Sequence, residues 1–207
     1  MQIIQTPYYS LRAKSFNPDY LKLLQMEILS SPYLAESQLS NDFAGTKGFS
    51  IVFQGSEVNQ VKEHFPFLQS YLDTVLLPTC NAFYLNPLII QRGGGIKPHV
   101  DSSISGYCKP NTIPKFVSVL YIRVPSDMKG GELVLLKEGV TVGEIQPQAN
   151  TLLYFQGYMK HSVNKVEASQ DRISLVCEQY ILDETLLQKI PKFKIESGAY
   201  REISPLE

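Results

Sequence analysis

The chain has 207 residues, 43% of them hydrophobic and 19% charged, the balance of an ordinary globular protein, which argues against an intrinsically disordered chain. Nineteen Lys and Arg against twenty Asp and Glu leave a formal net charge of −1, so no bulk field is available to grip nucleic acid or an anionic membrane. The length is about one and a half times that of a common domain and predicts a single domain over residues 1–207, whose core needs no disulfide or metal staple.

The opening residues up to Phe16 have neither the cationic start nor the long apolar run of a secretory signal. No stretch reaches the ~18 consecutive apolar residues that a membrane-spanning helix needs. Next, Tyr20, Leu21, Leu24, Ile28 and Leu29 recur at three- and four-residue intervals, which predicts a helix over Pro18–Leu29 capped by Asn17. Gly48–Gln54 reads as a short strand. From Ser56 to Leu77 a second helical stripe runs through Val58, Val61, Phe65, Leu68, Leu72, Val75 and Leu76. Pro66 should kink or divide it and Pro78 should end it.

Near residue 80 the pattern changes to strands and turns. Asn81–Gln91, Phe116–Val124, Glu132–Lys137, Thr151–Gln156 and Arg172–Leu182 are rich in Val, Ile, Leu, Tyr and Phe, and Gly, Pro, Asn and Asp clusters separate them. Many short strands without intervening helices predict an all-β sandwich or barrel. Residues 1–79 would then supply helical support and an edge strand, residues 80–182 the β core, and residues 183–207 a C-terminal extension, either a tail or a strap across the barrel. Cys80, Cys108 and Cys177 form neither a C-x-x-C pair nor a disulfide framework, so a reducing cytoplasm is the expected setting.

Chemistry concentrates on few residues, because the chain has only three histidines. His99-Val100-Asp101 sets an imidazole and a carboxylate two residues apart, hence on one face of an extended segment. His161 lies far downstream, and Arg172-Ile173-Ser174 follows it. Two imidazoles and one carboxylate occupy three adjacent corners of an octahedral ferrous ion and leave three positions open. Zinc would collect four ligands, or three with one open position. His64, beside Phe65-Pro66, reads as a bystander. Gly93–Gly95 is no phosphate loop, since no Gly-Lys-Ser/Thr follows it.

Taken in order, His99-x-Asp101, His161 and Arg172-x-Ser174 resemble the signature of the Fe(II)/2-oxoglutarate-dependent dioxygenases. The likeness to the prolyl-4-hydroxylase-like branch runs from about Tyr84 to Ile181. It includes Gly93-Gly94-Gly95-Ile96-Lys97-Pro98, Val119-Leu120-Tyr121-Ile122, Gly130-Gly131-Glu132-Leu133 and Leu152-Leu153-Tyr154-Phe155. The resemblance implies a mainly β fold, a double-stranded β-helix (a cupin-like jelly-roll barrel) with N-terminal flanking helices. It also implies an oxidoreductase in which His99, Asp101 and His161 hold Fe(II), with 2-oxoglutarate and O2 as co-substrates and ascorbate as a reductant. Arg172 would pair with the distal carboxylate of 2-oxoglutarate, Ser174 would add a hydroxyl bond, and the Tyr121 phenol would reach the same carboxylate. Tyr121 opens a Tyr-Ile-Arg segment where the family pattern has Tyr-Leu-Asn.

Family halogenases lack the carboxylate ligand, so Asp101 makes hydroxylation the expected outcome. The branch implies an amino-acid substrate, free or within a peptide or protein, and no nucleic-acid or membrane partner. An AlkB-like nucleic-acid demethylase is an alternative, although that type carries a second Arg six residues after the first and Glu178 stands there. A non-oxygenase cupin-type metal-binding barrel is another. Residues 102–115 read as a long loop beside the metal. Arg92, Lys109, Lys115 and Arg123 are candidate substrate contacts or solvated surface charges.

Overall fold

Two nine-residue strands, Ala82–Ile90 and Arg172–Tyr180, are buried almost throughout and pair along their whole length. Both faces of the sheet they centre are covered, so these segments read as near-continuous apolar runs and not as a wet–dry alternation.

The computed structural model describes residues 3–36 and 43–199. In chain order the strands are β1 (Ile3–Gln5), β2 (Tyr9–Ala13), β3 (Ala35–Glu36), β4 (Thr46–Gly48), β5 (Ser50–Gln54), β6 (Ala82–Ile90), β7 (Ile96–His99) and β8 (Phe116–Arg123). They continue as β9 (Lys129–Gly130), β10 (Leu133–Lys137), β11 (Val140–Ile145), β12 (Thr151–Gln156), β13 (Lys160–Val163), β14 (Val166–Glu167), β15 (Arg172–Tyr180) and β16 (Phe193–Glu196). The helices are α1 (Pro18–Ser30), α2 (Val58–His64), α3 (Gln69–Val75) and α4 (Glu184–Leu187).

The larger sheet runs β1-β2-β12-β8-β15-β6-β4-β3, with β5 also on β6 and β16 outside β5. The smaller runs β11-β10-β13-β7, and every pairing in both is antiparallel. Val117, Val119, Tyr121, Leu153 and Phe155 of the larger sheet meet Ile96, Leu133, Leu135 and Val163 of the smaller. On the opposite face, Leu120, Ile122, Leu152 and Leu175 pack against Leu21, Leu24 and Ile28 of α1 and Leu68, Tyr71 and Leu72 of the second helical region. Adjacent residues such as Leu152 and Leu153 thus serve different cores, as the two-residue period of a strand requires. The architecture is a double-stranded β-helix with flanking N-terminal helices.

Asn17 caps α1 by accepting from the Asp19 amide at 2.9 Å, and Pro18 occupies the first turn, where its missing N–H costs nothing. The second helical stripe does divide at Pro66, into α2, a 3-10 turn and α3. The single strand expected over Gly48–Gln54 is two, β4 and β5, broken at Phe49. Sequence reading missed β1, β2, β3, β9, β11, β13, β14 and β16, most of which are short or partly exposed, so burial leaves little apolar pattern on them. In the C-terminal extension, β16 pairs with β5 through Phe193 opposite Phe53. The remainder of that extension, residues 200–207, lies outside the described residues.

Candidate metal and co-substrate site

Strand β13 alternates cleanly. Met159, His161 and Val163 point inward at 7% exposure or less, while Lys160 and Ser162 face out or lie half-buried. Its neighbour β7 is the edge of the small sheet, which accommodates Pro98 without losing a ladder bond from a central strand. The β7–β13 register sets His99 opposite His161, and their rings stand 4.4 Å apart. Asp101 follows β7 by two residues and is buried.

The three side chains converge. Each offers a ligand atom, and these atoms all lie within 4.8 Å of one another. His99 Nε2 is 3.1 Å from Asp101 Oδ1, and His161 Nε2 is 3.6 Å from Asp101 Oδ2. The other ring nitrogens meet backbone carbonyls: His99 Nδ1 lies 2.8 Å from Lys97 O and His161 Nδ1 3.2 Å from Met159 O. A carbonyl accepts only, so each Nδ1 carries a proton and each Nε2 is turned toward the shared space, where that of His99 meets the Asp101 carboxylate. Phe43 and Phe155 pack edge-on against the two imidazoles and fix their planes.

Electrostatics agree with a cation-binding site. Burial raises the carboxyl pKa of Asp101, but attraction to His161 and His99 outweighs it and holds the pKa below the ordinary carboxylate range. Burial lowers His99, yet the hydrogen bond and charge of Asp101 leave it raised. Burial dominates at His161, which is lowered and so neutral. Asp101 Oδ2 is buried with no hydrogen-bond partner. An orphaned carboxylate oxygen beside two imidazole nitrogens is the donor set of a ferrous facial triad.

Arg172, the first residue of β15, is 2% exposed. Its Nη1 donates to Gly131 O at 2.7 Å and its Nε reaches Ser174 Oγ at 3.4 Å. Gly130 and Gly131 hold φ at +72° and +76°, and a Cβ on Gly130 would sit 2.0 Å from Lys165 O. The Gly-Gly pair therefore makes the turn that presents a carbonyl to Arg172. The Arg172 guanidinium lies 4.9 Å from the centre of the Tyr121 ring. Among the described residues no carboxylate pairs with Arg172. Glu167, a nearby acid in sequence, pairs with Arg92 and Lys165 on the surface.

One cavity is lined by His99, Asp101, His161, Arg172 and Tyr121 together. Ser174 lies behind it against Arg172. Sequence reading also missed Glu178, which faces the same cavity on β15. The signal was present: residues 172, 174, 176 and 178 alternate onto one face of a strand. Burial and the negative charge of Asp101 push the Glu178 carboxyl up to about 8. None of Arg92, Lys109, Lys115 and Arg123 lines the cavity; the Arg123 side chain donates to Asp171 O. His64 packs among Tyr33, Phe65 and Phe193, far from this chemistry. The loop after Asp101 begins with a 3-10 turn over Ser103–Gly106, anchored by the fully buried Ile104.

Residues 84–177 match the family model of the 2OG-Fe(II) oxygenase superfamily. No curated protein sequence matches the chain significantly. In three dimensions the chain is similar to a Pseudomonas putida prolyl-4-hydroxylase, at a TM-score of 0.58 and 19% identity, over 86% of this chain and 95% of that one. It is similar to a Trichoplax adhaerens prolyl hydroxylase solved with a hypoxia inducible factor oxygen degradation domain peptide fragment, at 0.58 and 19%, over 88% and 87%. A viral collagen prolyl hydroxylase from Paramecium Bursaria Chlorella virus-1, solved with 2OG, aligns at 0.51 and 14%, over 84% and 96%. At these identities the structural likenesses speak for the barrel alone. The family match covers the stretch that carries the facial donor set and the buried arginine, and the chain is accordingly a 2-oxoglutarate-dependent dioxygenase with the fold of the prolyl hydroxylases.

Proposed function

We propose that the enzyme hydroxylates an unactivated C–H bond of an amino acid, free or within a peptide, with release of succinate and CO2. His99, Asp101 and His161 hold the Fe(II), and Arg172 takes the distal carboxylate of 2-oxoglutarate, assisted by Ser174 and Tyr121. When bound, the iron and 2-oxoglutarate use O2 to oxidise the keto acid to succinate and CO2 and to insert one oxygen atom into the substrate C–H.

The chain's own contribution is placement. The backbone carbonyls of Lys97 and Met159 orient the two imidazoles, and the apolar walls of the barrel exclude water and stray reductants. Arg172 offers a planar fork that stays charged when buried, suited to a two-point contact with a carboxylate. The observation that carries the reading is this guanidinium, buried and unpaired by any described acid, in the same cavity as the His-Asp-His cluster.

Support for an amino-acid or peptide substrate comes from the Trichoplax adhaerens neighbour, which was solved with a peptide fragment. The test is succinate formation from 2-oxoglutarate with Fe(II) and ascorbate, read beside mass spectra of candidate amino acids and peptides for the gain of one oxygen atom. Succinate without an oxygenated product from a broad panel would reject the substrate class.

A further inference from the structure

Glu178 sits on the β15 face that also carries Arg172, about 20 Å further along at a strand rise of roughly 3.3 Å per residue. The cavity therefore has a cation at one end and an acid at the other. Glu178 is 4% exposed and belongs to neither the metal cluster nor any ion pair among the described residues. Its carboxyl accepts from the Ser103 amide at 3.2 Å, from the Ser103 hydroxyl and from the Tyr180 hydroxyl. A carboxylate offers about four acceptor sites, so three donors leave one for a ligand. The donors are held firmly, since Ser103 opens the turn pinned by buried Ile104.

We infer that Glu178 determines specificity by receiving an ammonium group of the substrate, so that amine-bearing substrates are taken over neutral ones; this rests on the oxygenase reading above. Val117 and Val176 flank Glu178 on the cavity wall and suit the alkyl stem behind such a group. An ammonium brought to this buried acid favours its ionised form, the carboxyl proton leaving to solvent, and gains a charge-assisted bond, whereas a neutral residue leaves the acid protonated and gains none. The ammonium can be the α-amino group of a free amino acid or a lysyl side chain in a peptide, and the two sources are separable.

The experiment uses the enzyme loaded with Mn(II) and N-oxalylglycine, which binds without turnover. Three probes are titrated by calorimetry: L-norleucine methylamide, Nα-acetyl-lysine methylamide and the neutral Nα-acetyl-norleucine methylamide. A charge-assisted hydrogen bond of about 1.5–3 kcal/mol corresponds to roughly 10- to 100-fold tighter binding of one cationic probe over the neutral one. Which cationic probe wins identifies the source. Glu178→Gln should bring that ratio close to one, and Glu178→Ala provides a second variant, each checked for folding by circular dichroism. Equal affinities in the parent, or a ratio that survives both variants, would overturn the assignment. So would a uniform loss for all three probes, the mark of a purely structural role. Failure of the oxygenase reading registers separately, as charge-selective binding that depends on Glu178 with no succinate from Fe(II), 2-oxoglutarate and ascorbate.

Discussion

The Arg172 guanidinium lies over the face of Tyr121, 4.9 Å from the ring centre, and the Tyr121 hydroxyl is buried without a hydrogen-bond partner. A cation and an unsatisfied phenol side by side in an apolar barrel each cost free energy when no ligand is bound. The register explains their meeting: Ser174 on β15 stands opposite Tyr121 on β8, just past an irregularity between Ile173 and Ser174. The extra residue at that point is Ile122 of β8, so the bulge bends β8 where Tyr121 meets the start of β15. An incoming carboxylate would satisfy both groups at once.

Arg172→Ala should raise the 2-oxoglutarate concentration needed for half-maximal succinate formation by on the order of 100-fold, the effect of losing a buried charge-assisted pair. The Fe(II) requirement should move far less. Arg172→Lys should restore little, since a point charge cannot make the two-point contact. Co-substrate titrations that overlay for parent and variant would remove the role.

Tyr121→Phe separates stability from binding. Deleting a buried hydroxyl that has no partner should stabilise the protein without ligands by about 1 kcal/mol, visible as a higher Tm in the presence of a chelator. The same change should weaken 2-oxoglutarate binding severalfold. A lower Tm would mean that the phenol is satisfied in the native protein.

His99→Ala and Asp101→Ala should each abolish high-affinity Fe(II) binding and succinate formation while the far-ultraviolet circular dichroism stays that of the parent. Full turnover in either variant would refute the ligand set.

Glu178 makes stability depend on pH. Its carboxyl is raised from 4.5 to about 8 in the folded protein, so the folded state holds a proton that the unfolded chain has released. Stability from this group is therefore complete below the unfolded value and lost as pH rises through about 8. In chelator-treated protein, Glu178→Gln should be more stable than the parent at pH 9, on the order of a few kcal/mol, and the difference should vanish near pH 4. Urea melts across that range measure it, and parallel pH profiles for the two proteins would contradict the shift.

Much of the core strand pattern was legible because it follows from local chemistry. β6, β8, β10, β12 and β15 lie within a residue or two of their predicted limits, since apolar β-branched and aromatic runs bounded by Gly, Pro and Asn carry their own punctuation. β2 and β16 were not legible, because half-exposed strands gain their partners from β12 and β5, far away in the chain. Glu178 shows the same limit at the site: alternation assigns it a face, but only the packing of Ser103 and Tyr180 makes it a buried acid.

The sequence by itself determined the chemistry on offer: His99, Asp101, His161 and Arg172 have the donor types and order for a ferrous ion and an anionic co-substrate. Whether those groups share a hollow was decided by tertiary structure, through the β7–β13 register that faces His99 with His161 and the Gly130-Gly131 turn that steers Arg172 inward. Side-chain identity is a local property, whereas convergence depends on which distant strands pair and in what register, and that is set by burying two apolar faces at once.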